Sequence, residues 1–248
     1  MKSLDSIGIK HNTDKASIGR LEPNGIRAGG HNYLPVYSSF IQGLIKEITL
    51  INGAEIILLE LGVGPVWNAG ASVNMFREYM PKRTRIITID KNKNALERVS
   101  DKSIETIEMD LSNTSLLKSF CESKNWHIVI DDASHQWKDQ KDCFLTIFPS
   151  ICEGGIYIIE DIHTSFGVDL RKKHNLANEN QTEDTFSCML DLSMFVASSG
   201  NFLLRDLRTN WARNAINQIG GMIRSVTFIN HACIIVKKNA SNTYLGCK

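Results

Sequence analysis

The chain has 248 residues, of which 42% are hydrophobic and 22% charged, and its formal net charge is +1. This length and composition are typical of an ordinary globular protein with a substantial core. A net charge near zero provides no general attraction to polyanions, so we expect neither a nucleic-acid partner nor binding to an anionic membrane surface.

The N-terminal sequence lacks the apolar core and small-residue cleavage site of a signal peptide. No segment approaches the roughly 18 apolar residues of a membrane span. The six cysteines form no CxxC pair, and several lie in apolar runs, which suits a reducing compartment. The sequence therefore predicts a cytoplasmic protein without a membrane span.

Residues 1–50 are expected to form an N-terminal arm and a helix that pack on the core. The first 34 residues are rich in turn formers and predict an irregular arm. Apolar residues then recur at helical intervals over 36–48, which predicts an amphipathic helix. We assign the remaining residues, 51–248, to one main domain.

From residue 55 the chain alternates between short apolar runs and helical patterns. The predicted strands cover 55–62, 85–90, 104–110, 127–132 and 154–161. The predicted helices between them cover 73–80, 94–100, 115–123 and 142–151. This alternation indicates a doubly wound, Rossmann-like α/β fold with a mostly parallel sheet.

The last part of the chain has a different pattern. The polar segment 163–183 is predicted to be an inserted loop, and a helical pattern follows over 185–198. Two apolar runs, 225–229 and 232–238, are separated only by Asn230 and His231. Such a short connection cannot hold a crossover helix, so these strands must be antiparallel neighbours. A parallel sheet ending in an antiparallel strand pair is the layout of class I methyltransferases.

Three successive strand ends carry residues suited to a nucleoside. Gly62 and Gly64 follow the first strand, where bare backbone permits a close approach, and Trp67 replaces the third glycine of a dinucleotide-binding motif. Asp90 ends the next strand as an acceptor for ribose hydroxyls, and Asp110 ends the third, beside the expected adenine. Each residue alone fits a turn or a solvated strand end. Together they favour S-adenosylmethionine (SAM) over a nicotinamide cofactor.

Four carboxylates follow the last two parallel strands: Asp131 and Asp132, then Glu160 and Asp161. Unpaired acids at one edge of a sheet repel, and a divalent cation relieves that repulsion. Oxygen ligands suit Mg²⁺ or Mn²⁺, and His135 lies one loop turn away as a general base. The alternative is that Asp132 caps the following helix and Glu160 faces solvent.

Several of these motifs resemble a known family. The segments "LLELGVGP", "IDDASH" and "GGIYIIED", with "NTDKAS" and "HNYLPVY" near the N-terminus, resemble metal-dependent sugar O-methyltransferases of the mycinamicin and macrocin type. The resemblance covers about residues 10–166 and the final strand pair. The chain departs from the family's usual motifs at "WNAGAS" after the first strand and at "MDLSN" after the third.

The resemblance implies a role for each matching position. It makes Asp132, Glu160 and Asp161 the metal ligands and His135 the general base. It places Asp131 close to SAM. The positions that match the family's SAM-binding strand ends are Glu60, Gly62, Gly64 and Asp90. The departure at "MDLSN" leaves the adenine contacts to Asp110 alone.

The function expected from these features is SAM-dependent, metal-assisted methyl transfer to a sugar hydroxyl. The acceptor is expected to be a small molecule or a glycan: a nucleotide-linked sugar, a surface polysaccharide or a glycosylated natural product. The sequence leaves the oligomeric state open, and a homo-oligomer is one option. Two alternatives remain: a nicotinamide-dependent oxidoreductase and a non-catalytic nucleotide-binding subunit.

Overall fold

The computed structural model describes residues 2–49, 54–122, 124–174, 176, 183–199 and 204–239. By their internal packing these residues divide into two units, which we describe separately. The first unit ends at Asp110 and also includes Trp126–Ala133. The second comprises Leu111–Asn125 and the residues from Ser134 onward. The division at residue 50 stays a prediction.

The first unit contains four parallel strands in the order β3-β2-β1-β4. Their bounds are β1 Ile57–Leu61, β2 Arg85–Asp90, β3 Glu105–Glu108 and β4 Trp126–Asp131. In register, Leu59 of β1 lies between Ile87 and Val129, and all three side chains are fully buried. The continuous apolar runs of β1, β2 and β4 reflect this burial on both faces. The predicted parallel strands are therefore confirmed for this unit.

The helices of the first unit include one that the sequence did not predict. Their bounds are α1 Leu4–Lys10, α2 Leu34–Thr49, α3 Ala71–Tyr79 and α4 Lys93–Leu96. The arm was expected to be irregular throughout, but α1 forms within it, and the Ser3 side chain caps it by accepting from Ser6 N at 3.1 Å. A Cβ on Gly8 would lie 2.3 Å from Leu34 Cδ1, so Gly8 permits close packing of α1 on α2. A short helix with a central glycine gives little periodic signal.

The second unit contains an antiparallel sheet in the order β5-β7-β6. Its strands are β5 Ile151–Ile159, β6 Ile223–Ile229 and β7 Ala232–Lys237. Ile234 of β7 pairs with Ile158 on one side and Thr227 on the other. His231, the second residue of the two-residue turn, has a left-handed backbone with φ of 60°. The predicted antiparallel strand pair is confirmed.

The helices of the second unit differ from prediction at three places. Their bounds are α5 Thr114–Cys121, α6 Trp137–Ile147, α7 Val168–Lys173, α8 Thr185–Ala197 and α9 Asn210–Ile219. Helix α6 begins before the predicted residue 142 and ends before 151. The segment 163–183 is not only loop, because it contains most of a 3-10 turn at Ile162–Ser165 and all of α7, while residues 175 and 177–182 of it lie outside the described part. Helix α9 was missed, since alanines fill two of its four buried positions.

Among the helices in the described part of the chain, none is long and apolar enough to cross a membrane.

Candidate active site

The turn after β1 contains two glycines with different surroundings. Both have a left-handed backbone, with φ of 89° at Gly62 and 82° at Gly64. A Cβ on Gly62 would lie 2.3 Å from the carbonyl oxygen of Asp132, so the backbone after β4 requires a glycine there. At Gly64, no described heavy atom lies within 4 Å of a Cβ position, so this backbone faces open space. Gly64 therefore presents bare backbone, and its contact with a ligand stays a prediction.

Asp90 at the end of β2 is held by two backbone amides. Its Oδ2 accepts from Val63 N at 3.1 Å, and its Oδ1 accepts from Asn92 N at 2.7 Å. These bonds fix the carboxylate beside the turn after β1. Each oxygen keeps a lone pair for a further donor. Asp110 is exposed after β3, where Met109 N donates to the carbonyl of Asp90 at 3.0 Å.

Glu60 is a buried acid in the middle of the sheet of the first unit. Its Oε1 accepts from the hydroxyl of Ser72 and lies 3.7 Å from Lys15 Nζ. Its Oε2 is buried without a hydrogen-bond partner among the described residues. Burial raises the pKa of Glu60 to about 7, although Lys15 and the Ser72 hydroxyl oppose the shift. Such an acceptor is suited to a donor from a ligand.

Asp131 and Asp132 follow one another at the end of β4 but have different environments. Asp131 is buried and lies in register with Leu61 of β1. Asp132 is partly exposed, and its Oδ2 forms an ion pair with Lys15 Nζ at 2.5 Å. The interpretation that Asp132 caps the next helix is wrong, because α6 begins at Trp137 with Gln136 at its N-cap.

In the second unit, His135 and Asp161 lie side by side. His135 Nδ1 is 3.3 Å from Asp161 Oδ2. Both residues are only partly buried and have left-handed backbone conformations, which non-glycine residues adopt at a cost. The two residues form an ion pair only when the ring is protonated, because Nδ1 has no hydrogen-bond partner among the described residues. A neutral imidazole here keeps a lone pair that can accept a proton.

Three further histidines surround this pair. The His174 ring lies edge-on to His135 with centroids 5.5 Å apart, and His163 stacks on His231 at 4.3 Å. His163 Nδ1 is also 3.6 Å from the other oxygen of Asp161. Burial lowers the pKa of His174, with smaller contributions from the nearby His135 and Lys173. A neutral imidazole both donates and accepts, which suits a polyhydroxyl ligand.

Glu160 directly precedes Asp161 and is 2% exposed, so the alternative that it faces solvent is wrong. Its backbone carbonyl accepts from Gln140 Nε2 at 2.8 Å, and Gln140 Oε1 accepts from the Thr185 hydroxyl at 2.7 Å. This chain of bonds ties the end of β5 to α6 and α8. The acid pair after β5 is therefore held by buried hydrogen bonds.

Sequence reasoning missed three residues near the predicted site: Lys15, Ser72 and His174. Lys15 lies in the "NTDK" segment, which resembles the family but was assigned no site role. Ser72 lies in the turn before the predicted helix 73–80, and His174 lies in the segment predicted to be a loop. No local pattern marks any of them, since their partners are distant in sequence.

Comparison with known proteins finds relatives that are methyltransferases. No family model matches it. It is 35% identical over 141 residues to 8-demethyl-8-(2-methoxy-alpha-L-rhamnosyl)-tetracenomycin-C 3'-O-methyltransferase of Streptomyces olivaceus, covering 55% of this chain and 33% of the relative. It is 32% identical over 117 residues to mycinamicin VI 2''-O-methyltransferase of Micromonospora griseorubida, covering 45% and 28%. Its homologues are sugar O-methyltransferases. The resemblance seen in the motifs is thus confirmed.

Solved structures confirm the fold. The MycE methyltransferase of the mycinamycin biosynthetic pathway, in complex with Mg and SAH, aligns with a TM-score of 0.70 at 19% identity, covering 100% of this chain and 58% of that one. A complex that also contains mycinamycin VI gives a TM-score of 0.69 at 18% identity. The chain therefore has the class I methyltransferase fold. It spans about a third of the curated relatives that it matches.

Proposed function

We propose that this chain is a SAM-dependent O-methyltransferase that uses Mg²⁺ or Mn²⁺ to methylate a hydroxyl of a sugar-bearing small molecule. The observation that carries the proposal is the His135–Asp161 pair, with 3.3 Å between Nδ1 and Oδ2, in a chain whose homologues are O-methyltransferases. A non-catalytic nucleotide-binding subunit has no need for a strained base and acid pair. The MycE structures, which contain Mg and SAH, support the choice of cofactors.

The first unit offers the groups that SAM requires. Glu60 Oε2 is a buried acceptor without a partner among the described residues, suited to a cationic or hydroxyl donor of the cofactor. Asp90 is fixed to receive ribose hydroxyls, and Gly64 leaves room for the ligand. The full proposed SAM set is Glu60, Gly62, Gly64, Asp90, Asp110 and Asp131. A nicotinamide oxidoreductase would use Asp90 similarly, but it has no need of the acids after β4 and β5.

The proposed metal ligands are Asp132, Glu160 and Asp161. Asp132, Asp161 and His135 each offer one atom suited to a metal ion, and the carboxylates are the oxygen donors that Mg²⁺ and Mn²⁺ prefer. A bound divalent cation makes a neighbouring hydroxyl more acidic. His135 would accept the hydroxyl proton as the oxygen forms a bond to the SAM methyl group and the methyl–sulfur bond breaks, which leaves S-adenosylhomocysteine. Asp161 Oδ2, 3.3 Å from His135 Nδ1, would stabilise the imidazolium that forms.

The acceptor class follows from the names of the relatives. Rhamnosyl tetracenomycin and olivosyl-oleandolide are sugar-bearing natural products, and both appear in the names of homologues. We therefore propose a sugar attached to a small molecule, in preference to a nucleotide-linked sugar or a polysaccharide. The His163–His231 stack and His174 provide donors and acceptors that suit such a ligand.

The decisive experiment is methyl transfer from methyl-labelled SAM in the presence of Mg²⁺. The acceptor panel contains glycosylated natural products, nucleotide-linked sugars and polysaccharide fragments. We expect label on a sugar hydroxyl of the first group, incorporated about a hundredfold or more slowly with His135→Ala. Calorimetry with SAH and NAD tests the cofactor separately. Binding of NAD without binding of SAH would overturn the proposal in favour of an oxidoreductase.

A further inference from the structure

Lys15 is a buried cation between two acids of the proposed site. Its side chain is 1% exposed, and its Nζ lies 2.5 Å from Asp132 Oδ2 and 3.7 Å from Glu60 Oε1. Asp132 is a proposed metal ligand, and Glu60 belongs to the proposed SAM set. A lysine is almost never fully buried unless it is paired, so these acids hold its charge in the protein.

The arm fixes Lys15 in this position. The Lys15 carbonyl accepts from Tyr33 N at 2.9 Å, and the Asn12 carbonyl accepts from the Asn68 side chain at 3.0 Å. Tyr33 is itself 1% exposed. The backbone on both sides of Lys15 is therefore attached to the first unit, and Nζ is not free to move into solvent as a surface lysine does.

We infer that Lys15 is a positioning residue that neutralises Asp132 in the metal-free protein and opposes the divalent cation at that carboxylate. The inference rests on the metal part of the proposed function. An ammonium ion close to a cation site repels the incoming metal, and the repulsion is strong where water is excluded. Lys15 thus stabilises Glu60 and Asp132 in the folded protein when no metal is bound. The same positive charge lowers the affinity of Asp132 for a divalent cation.

The matched variants are Lys15→Met, which removes the charge at similar length, and Lys15→Gln, which keeps a donor for Asp132. Lys10→Met is the control, because Lys10 pairs with Glu78 on the surface of the same unit and its side chain is 57% exposed. The measurements are the dissociation constant of Mn²⁺, by electron paramagnetic resonance with the full chain, and the melting temperature with and without Mn²⁺. We expect Lys15→Met and Lys15→Gln to bind Mn²⁺ about tenfold more tightly than wild type, with a larger rise in melting temperature on metal addition.

Each outcome decides between the two proposals. If the wild-type chain binds no Mn²⁺, the metal part of the proposed function fails. If wild type binds Mn²⁺ and both variants bind it equally or more weakly, only the inference about Lys15 is overturned. A variant that folds only in the presence of Mn²⁺ supports the inference, because the metal then replaces the missing charge. Failure of both variants to fold in saturating Mn²⁺ overturns it, since Lys15 is then needed for the fold itself.

Discussion

Oδ2 of Asp161 lies 3.3 Å from Nδ1 of His135, and the two residues have nearly the same left-handed backbone, with φ of 57° and 56°. Left-handed residues other than glycine cost of order 1–3 kcal/mol each and persist where the surrounding structure fixes them. Gln140 Nε2 donates to the carbonyl of Glu160, which holds the backbone immediately before Asp161. The geometry is what a base needs if its orientation is to be set before substrate arrives.

The proposed roles of base and ligand predict different responses to metal. His135→Ala should lower turnover by about a hundredfold or more, the usual loss for a positioned general base. Asp132→Asn keeps the size of the side chain but loses a charge, so Mg²⁺ affinity should fall and added Mg²⁺ should partly restore the rate. Turnover against Mg²⁺ concentration checks both variants. Recovery of His135→Ala by excess metal would mean that ligand and base are exchanged.

Asp90→Ala should weaken SAH binding about tenfold or more, because a fixed charged acceptor for the ribose is lost. Asp101→Ala is the control, since Asp101 is an acid of the same unit that accepts locally from Ser103. Isothermal calorimetry with SAH measures both variants. Unchanged affinity in Asp90→Ala would show that the ribose is bound elsewhere.

The two glycines after β1 should tolerate alanine differently. Gly62→Ala should lower the free energy of unfolding by about 3 kcal/mol or more, because its Cβ would meet the Asp132 carbonyl at 2.3 Å. Gly64→Ala faces open space and should cost only about 1–2 kcal/mol from its backbone conformation. Urea unfolding of both variants tests this order. Equal losses would contradict the close approach of Asp132 to Gly62.

His127 should make the fold less stable in mild acid. Burial lowers the pKa of His127 from 6.5 to about 4, and its Nδ1 accepts from Ile57 N at 3.1 Å as a neutral ring. Below pH 6.5, His127 binds a proton in the unfolded chain but stays neutral in the folded chain. The free energy of unfolding therefore falls as the pH drops from about 6.5 towards 4. At pH 5 the loss is about 2 kcal/mol.

The matched variant is His127→Asn, whose amide oxygen can replace Nδ1 as an acceptor but does not titrate. Urea unfolding at pH 7 and pH 5 should show a smaller loss in the variant, by about 2 kcal/mol. Between pH 7 and pH 8, both proteins should show the same change. Parallel losses between pH 7 and pH 5 would mean that His127 is protonated in the folded protein.

Most of the fold was predictable because buried parallel strands have a strong sequence signal. The runs that became β1, β2 and β4 are largely apolar and end in glycine or acid. Helix α1 was not predictable, because its seven residues contain a glycine that only tertiary packing, closest against Leu34 of α2, explains. The early start of α6 was missed because Trp137–Gln140 mixes large polar and aromatic residues, and burial of Trp137 and Gln140 is a tertiary effect.

The site was predictable only in part, for a related reason. Acids at strand ends can be recognised in the sequence, because the apolar run of a buried strand ends where polar residues or glycine begin. Lys15 is separated from Asp132 by 117 positions, so no periodicity connects them. Similarly, His174 lies at the end of the short helix α7, inside a segment whose polarity indicated solvent. Long-range pairs of this kind are set by packing and have no local signature.

The attachment of the arm to the turn after β1 has a practical consequence for anyone who trims the protein. Asn12 bonds to Asn68, and the Arg20 guanidinium lies 5.2 Å from the ring centre of Trp67. A shortened protein that starts at helix α2 would lose both contacts together with Lys15. Deletion of this turn-rich segment would remove the contacts of Asn12 and Arg20 with the turn after β1 and the ion pair of Lys15 with Asp132.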